Sequence, residues 1–313
     1  MKGFFKYFLA SFLAVCAALI VLTLIGLGSI TALVSAGQEK VEVKPNSVLV
    51  VDLNQQITER SIDNPLEILD YQSMKLEATI GIYDIVHNLE KASKDPNISG
   101  VLIKTGTSGP GISTLDEIRD ALSDFKKSGK FIYAYSDTYT QGSYYLASIA
   151  GKVYLNPEGT LDFRGLRSDV IFFKKALEKI GVDVQVIREG RYKSAVEPFL
   201  QESMSEYSKE QTTAYLQALW QHMLNGISEC RNIPVSELNR LADGWVARTP
   251  EAAVETRLVD SLLYEDQVEN ILRKKTGLRE SDKIHTVSLL DYKQAPSPVK
   301  EEYTPDRIAI IYG

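Results

Sequence analysis

The sequence predicts an α/β domain built on a largely parallel sheet, preceded by one transmembrane helix. Short apolar runs rich in β-branched residues alternate with stretches of helical periodicity, the pattern of strand–helix–strand units. An uncharged stretch from Phe8 to Val34 exceeds the roughly 20 residues needed to cross a hydrocarbon core. With 44% hydrophobic and 24% charged residues over 313 positions, the remainder has the composition of an ordinary globular protein.

Lys2 and Lys6 precede the apolar stretch, and Glu39, Lys40, Glu42 and Lys44 follow it in mixed charge. The positive-inside bias then leaves residues 1–7 as a cytoplasmic stub, 8–34 as a span in the lipid membrane and the body on the outer side. A cleaved signal peptide with Val34-Ser35-Ala36 as its small-residue site is the alternative, although such h-regions usually run only about 7–15 residues. Residues 35–46 read as a polar linker.

The folded unit spans 47–295 and opens with Ser47 to Leu53, too short for a helix and apolar enough for a buried strand. Ile80, Ile82, Ile85, Val86, Leu89 and Ala92 form a helical face that stops at Asp95-Pro96, and Ile98 to Ile103 is the next strand. After a glycine-rich turn at 105–111, Ser113 is the expected N-cap of a helix presenting Leu115, Ile118, Ala121, Leu122 and Phe125. Lys130 to Tyr135, Val153 to Leu155 and Val182 to Arg188 are the following strands, with helices over Gln141–Ala150 and Ile171–Ile180 between them. Helices are then expected over Ser208–Cys230, Ser236–Asp243, Thr249–Leu258 and Tyr264–Lys275. Pro296, Pro298 and Pro305 mark a linker, and Asp306 to Gly313 begins a further apolar strand that resembles Val48 to Leu53. Residues 296–313 therefore read as a linker and the first strand of a second copy of the unit.

Cys16 lies in the span and Cys230 has no exported partner, so no disulfide framework is expected. His87, His222 and His285 lack metal-ligand spacing, and neither a metal nor a cofactor is expected. A net charge of −6 argues against a nucleic-acid partner. Ser-His-Asp, nucleophile-elbow, phosphate-loop and zinc-helix patterns are missing from the sequence. What stands out is Arg188 to Phe199, where a glycine turn after a strand presents Lys193 beside small residues and ahead of a proline. A lysine base must be neutral, so its pKa must fall from about 10.4 by desolvation or nearby positive charge. Arg188 and Arg191 offer the charge, and Tyr192, Val196 and Phe199 an apolar wall; a solvated loop lysine is the alternative.

The segment Gly190-Arg-Tyr-Lys-Ser-Ala-Val-Glu-Pro-Phe199 resembles the lysine motif of the long, two-repeat bacterial signal peptide peptidase A family, also called protease IV. Leu115 to Lys127, Gln141-Gly-Ser-Tyr-Tyr-Leu-Ala-Ser148 and Tyr154-Leu-Asn-Pro-Glu-Gly159 resemble it in the same order. The resemblance implies a Clp protease/crotonase-like fold of ββα units with peripheral helices that mediate homo-oligomers. It implies a membrane-anchored serine endopeptidase of the bacterial cytoplasmic membrane, cleaving signal peptides and other hydrophobic peptides through a Ser/Lys dyad.

In this division of labour Lys193 is the general base and the serine comes from a second repeat beyond Gly313, so the chain alone is expected to be inactive. The serine repeat reads Ser-Gly-Gly-Tyr-Trp where this sequence has Gln141-Gly-Ser-Tyr-Tyr145, which puts Gln141 at the nucleophile position and leaves Ser143 to helix start or packing. The turn from Gly106 to Gly111 corresponds to the loop that faces the oxyanion in a serine-bearing repeat. Leu241 to Asp260 also resembles the family, except that Arg257 replaces the glycine of Gly-Leu-Val-Asp, which puts the local turn in doubt. The competing readings are a non-catalytic scaffold half and a crotonase-like acyl-CoA enzyme, the latter disfavoured by the exported orientation.

Overall fold

The computed structural model describes residues 2–36, 41–61, 69–70, 75–76, 79–107, 109–279 and 281–298. The chain divides into two units, Met1–Glu42 and Val43–Gly313. The first is a helix, α1, over Lys2–Ala36. Its stretch Gly3–Gly26 is long and apolar enough to cross a membrane. Phe4, Phe8 and Phe12 stack at four-residue spacing along one side, as the helical repeat dictates.

The second unit is organised by a six-stranded sheet of β1 (Ser47–Asp52), β6 (Ile98–Lys104), β7 (Phe131–Tyr139), β8 (Lys152–Leu161), β9 (Ser261–Leu262) and β10 (Thr286–Ser288). The strand order is β10-β1-β6-β7-β8-β9, and every neighbouring pair is parallel. Val48, Leu49 and Val51 of β1 and Val101 and Ile103 of β6 are fully buried. Such near-continuous apolar runs mark strands covered on both faces. Short pairs lie outside this sheet: β2 (Ile57–Thr58) with β5 (Ile80–Gly81), and β3 (Leu69–Asp70) with β4 (Lys75–Leu76).

Helices α2 (Ile82–Lys94), α3 (Ile112–Lys126) and α4 (Gln141–Ala147) return the chain between successive sheet strands. Ile85 and Leu89 of α2 and Leu115, Ile118, Leu122 and Phe125 of α3 are buried, at the spacing that aligns them on one helical stripe. The α/β class with a parallel sheet is thus the one the sequence predicts. Several boundaries differ. Ile80 belongs to β5 rather than to α2, and Gly111 rather than Ser113 is the N-cap of α3, without a side-chain bond. β7 and β8 run past their expected ends because the register shifts between Ser136 and Thr138, so that Asn156-Pro157 is carried inside β8. A bulge of this kind tolerates a proline that an unbroken ladder would exclude.

Beyond β8 the expected helix shrinks to α5 (Lys174–Lys179), and Val182 to Arg188 forms no strand. Its valines alternate as a strand would, but among the described residues no strand pairs with the segment, and Val182 and Ile187 are solvent-exposed. A 3₁₀ turn, Ser194–Val196, leads into α6 (Glu197–Leu200). The long helix α7 (Glu206–Arg231) follows, then α8 (Val235–Asp243), α9 (Pro250–Glu255), α10 (Glu265–Lys275) and α11 (Leu289–Gln294). The strand expected at 306–313 lies outside the described residues.

Candidate active site

Parallel sheets present their sites at the carboxyl ends of the strands, where the following turns and helix starts converge. Here the turn after β6 begins at Thr105, whose carbonyl accepts the Ser136 hydroxyl at 2.6 Å. The helix after β7 begins at Thr140, whose side chain accepts from Ser143 N at 3.2 Å. Ser143 is 5% exposed and its own hydroxyl donates back to the Thr140 carbonyl at 3.1 Å. A hydroxyl turned into its own helix cap is held by backbone groups and kept from solvent.

Gln141 is committed as well. Its Oε1 accepts from Arg164 N at 2.8 Å and Gly165 N at 2.6 Å, while its Nε2 donates to the Gly165 carbonyl at 2.7 Å. Gly165 adopts φ +93, a left-handed backbone that exposes these groups and that glycine adopts without strain. Gln141 thus ties the end of the sheet to the chain leaving it.

Lys193 lies immediately before the 3₁₀ turn, with φ −108 and ψ 65 and an exposed side chain. Gly190, three residues earlier, stands at φ +101 and sets the reversal that brings the chain round to it. Arg188 Nη1 donates to the Lys193 carbonyl at 2.9 Å. Val186, Ile187, Tyr192, Ala195 and Val196 join Lys193 around a concavity of about 480 Å³.

Of the neighbours the sequence suggested, Arg188, Tyr192 and Val196 are at the lysine. Arg191 and Phe199 are engaged elsewhere. The Arg191 guanidinium lies 5.6 Å from the Tyr207 ring centre, and Phe199 stacks on Phe173 at 5.9 Å. Tyr192 donates its hydroxyl to Glu210 at 3.1 Å, which anchors the turn to α7.

One group escaped the sequence reading. Glu197, 3% exposed, accepts from Ser205 Oγ at 2.6 Å and Ser205 N at 3.2 Å, and Arg188 Nη1 stands 3.8 Å away. Burial pushes this carboxyl up, but the Ser205 hydrogen bonds and the Arg188 charge outweigh it and hold the group below the usual carboxylate range. A glutamate before a proline at a helix start was the available signal, yet nothing in spacing says that it faces inward.

A second cluster joins α3, α4 and α7. Arg119, 7% exposed, donates to the Tyr145 carbonyl, to Ser148 Oγ at 2.9 Å, to the Gly226 carbonyl at 2.6 Å and to Cys230 Sγ at 3.2 Å. Asp116 accepts from Tyr145 Oη at 2.7 Å and lies 2.9 Å from His222 Nε2. These contacts pack the helices behind the sheet, and the expectation that His222 ligates no metal is left where it stood.

The sequence profile of peptidase family S49 matches residues 124–279, a stretch that includes Lys193. Protease 4 of Haemophilus influenzae is 30% identical over 297 residues, covering 88% of this chain and 47% of that protein. Protease 4 of Salmonella typhi is 33% identical over 245 residues, covering 74% and 38% respectively. The chloroplastic serine protease SPPA of Arabidopsis thaliana is 28% identical over 252 residues, covering 80% and 35%. The chain spans about half the length, or less, of these three relatives. By this profile and these relatives, the chain belongs to peptidase family S49.

Proposed function

We propose that this chain is the lysine-bearing half of a membrane-anchored serine endopeptidase that degrades signal peptides and other hydrophobic peptides through a Ser/Lys dyad. The observation that carries the reading is Lys193, inside the matched family stretch, on a turn fixed by Arg188 and open to a concavity. In the reaction, neutral Lys193 takes the proton of a serine hydroxyl as its oxygen attacks the peptide carbonyl. The resulting ammonium gives that proton to the leaving amine, and an acyl-serine remains for water to cleave.

In this reading the serine comes from a second repeat outside this chain, which fits Gln141 being bound to the backbone at 164–165 and Ser143 being buried in its own cap. Lys193 is exposed in this chain, whereas a lysine base works where water is excluded. The reading therefore requires the second repeat, or a neighbouring copy in a homo-oligomer, to close over the concavity. Helix α1 is the anchor, with the N-terminus cytoplasmic and the body on the outer face of a bacterial cytoplasmic membrane.

A serine-directed fluorophosphonate tests the division of labour. Residues 1–313 alone should stay unlabelled, while the full-length protein should carry one label per chain beyond position 313. Stoichiometric labelling of Ser143 in the 1–313 chain would overturn the reading.

A further inference from the structure

We infer that Glu197 is a positioning residue for Lys193, acting through Arg188 in a clamp that runs from the start of α7 to the lysine's own carbonyl. The inference rests on the reading of Lys193 as the base. Ser205 is the N-cap of α7, its hydroxyl accepting from Ser208 N at 3.1 Å while donating to Glu197. Glu197 faces Arg188, and Arg188 donates to the Lys193 carbonyl at 2.9 Å. The long helix is thereby coupled to a turn that has little rigidity of its own, because a three-residue 3₁₀ turn entered through a left-handed glycine is fixed by few internal bonds.

The chemistry of the groups argues for more than local packing. Burying a carboxylate costs several kcal/mol unless hydrogen bonds and a counter-charge offset it. A neutral amide has one acceptor oxygen for the two Ser205 donors that the carboxylate satisfies with both of its own, and it carries no charge to face Arg188. The same Arg188 Nη1 that stands 3.8 Å from this carboxylate donates to the Lys193 carbonyl, so the counter-charge holds the guanidinium near the backbone of the proposed base. The helix N-terminus adds favourable positive potential at the same carboxylate. Other charged groups at this turn are Glu189 and Arg191 on the turn itself and Glu210 of α7 through Tyr192.

The test uses the full-length enzyme with Glu197→Gln, Glu197→Asp, Arg188→Met and Lys193→Ala. Turnover of a hydrophobic peptide ester is followed against pH, and trypsin cleavage at Arg188, Arg191 and Lys193 is followed separately. Glu197→Gln should lower kcat about 10-fold with KM nearly unchanged, as expected for a misplaced base. It should also speed trypsin cleavage of the turn, with Glu197→Asp recovering part of both losses.

The pH profile separates positioning from stability. Removing the Glu197 charge leaves Arg188 uncompensated beside Lys193, so the rising limb should move to lower pH; Arg188→Met removes that positive charge and should move it to higher pH. Glu197→Gln with a wild-type kcat, limb and cleavage rate would overturn the clamp, as would a kcat loss that tracks lowered thermal stability while the limb stays fixed. Near-normal turnover by Lys193→Ala would instead remove the base reading itself, whatever the trypsin results.

Discussion

Replacing Arg257 by glycine is expected to stabilise the folded unit. Arg257 follows α9 and stands at φ +61, the left-handed region that the glycine of the related Gly-Leu-Val-Asp turn would occupy without strain. An L-residue there carries roughly 1–2 kcal/mol of steric cost. Glycine gives back roughly 0.5–1 kcal/mol through the greater freedom of the unfolded chain. The balance favours glycine by about 0.5–1 kcal/mol.

Little is lost with the side chain, which is exposed, and the turn's bond is made by backbone: Arg231 Nη2 donates to the Arg257 carbonyl at 2.9 Å. Urea unfolding in mild detergent, followed by the fluorescence of Trp220 and Trp245, should show a raised midpoint with an unchanged slope. The thermal midpoint should rise by about 1–4 °C. Arg257→Val, which puts a β-branched residue in the same region, should move both in the opposite direction. Glycine that lowers stability by more than about 0.5 kcal/mol would refute the reasoning, because the strain term would then be smaller than the unfolded-state term.

Gly190→Ala is expected to cost roughly 1–2 kcal/mol at φ +101 and to lower turnover of the full-length enzyme more than it lowers the melting temperature, measured on the same preparation. Arg119→Met should destabilise by about 3 kcal/mol in urea, since four acceptors on α4, its C-cap and α7 lose their donor together. Asp260 is pushed up by burial but held below its ordinary pKa by Val153 N–H, Lys152 and Arg231. Its contribution is therefore complete above the unfolded carboxylate pKa of about 3.9 and disappears as pH falls below it. Asp260→Asn should be less stable than wild type at neutral pH and flatter across the acid limb, by urea midpoints taken from pH 7 to pH 3.

Sequence pattern exposed the parts of the fold that rest on burial alone. Ser47 to Asp52 and Ile98 to Lys104 are apolar runs bounded by polar residues, and Ile118, Leu122 and Phe125 repeat at helical spacing; each lies where its period puts it. Features that depend on a partner distant in sequence were not legible. Val182 to Ile187 has a strand's alternation, but alternation cannot supply a neighbouring strand. Asn156-Pro157 reads as a stop, and only the displaced register against Ser136 and Thr138 carries the strand through it.

The site divides in the same way. Lys193 stands out as a candidate because its setting of small residues, glycine and proline is local, and the positive φ of Gly190 bears on the same turn. Arg119 carries no local signal, because its acceptors lie 26 to 111 positions away. Glu197 sat in the quoted motif without an assigned part, since its link to Ser205 crosses a loop whose path no periodicity describes.

The central claim is that Lys193 accepts the serine proton, and the most direct measurement is turnover of a hydrophobic peptide ester by full-length Lys193→Ala and Lys193→Arg, with assembly size checked by light scattering. Loss of the base should lower kcat by about 10²-fold to 10⁴-fold in assemblies of normal size. Arginine should not restore it, because a guanidinium stays protonated and cannot take the proton. Lys174→Ala and Lys175→Ala, on α5, should retain wild-type turnover. Near-normal turnover by Lys193→Ala in an intact assembly would contradict the account and leave this chain as a scaffold for chemistry carried out elsewhere.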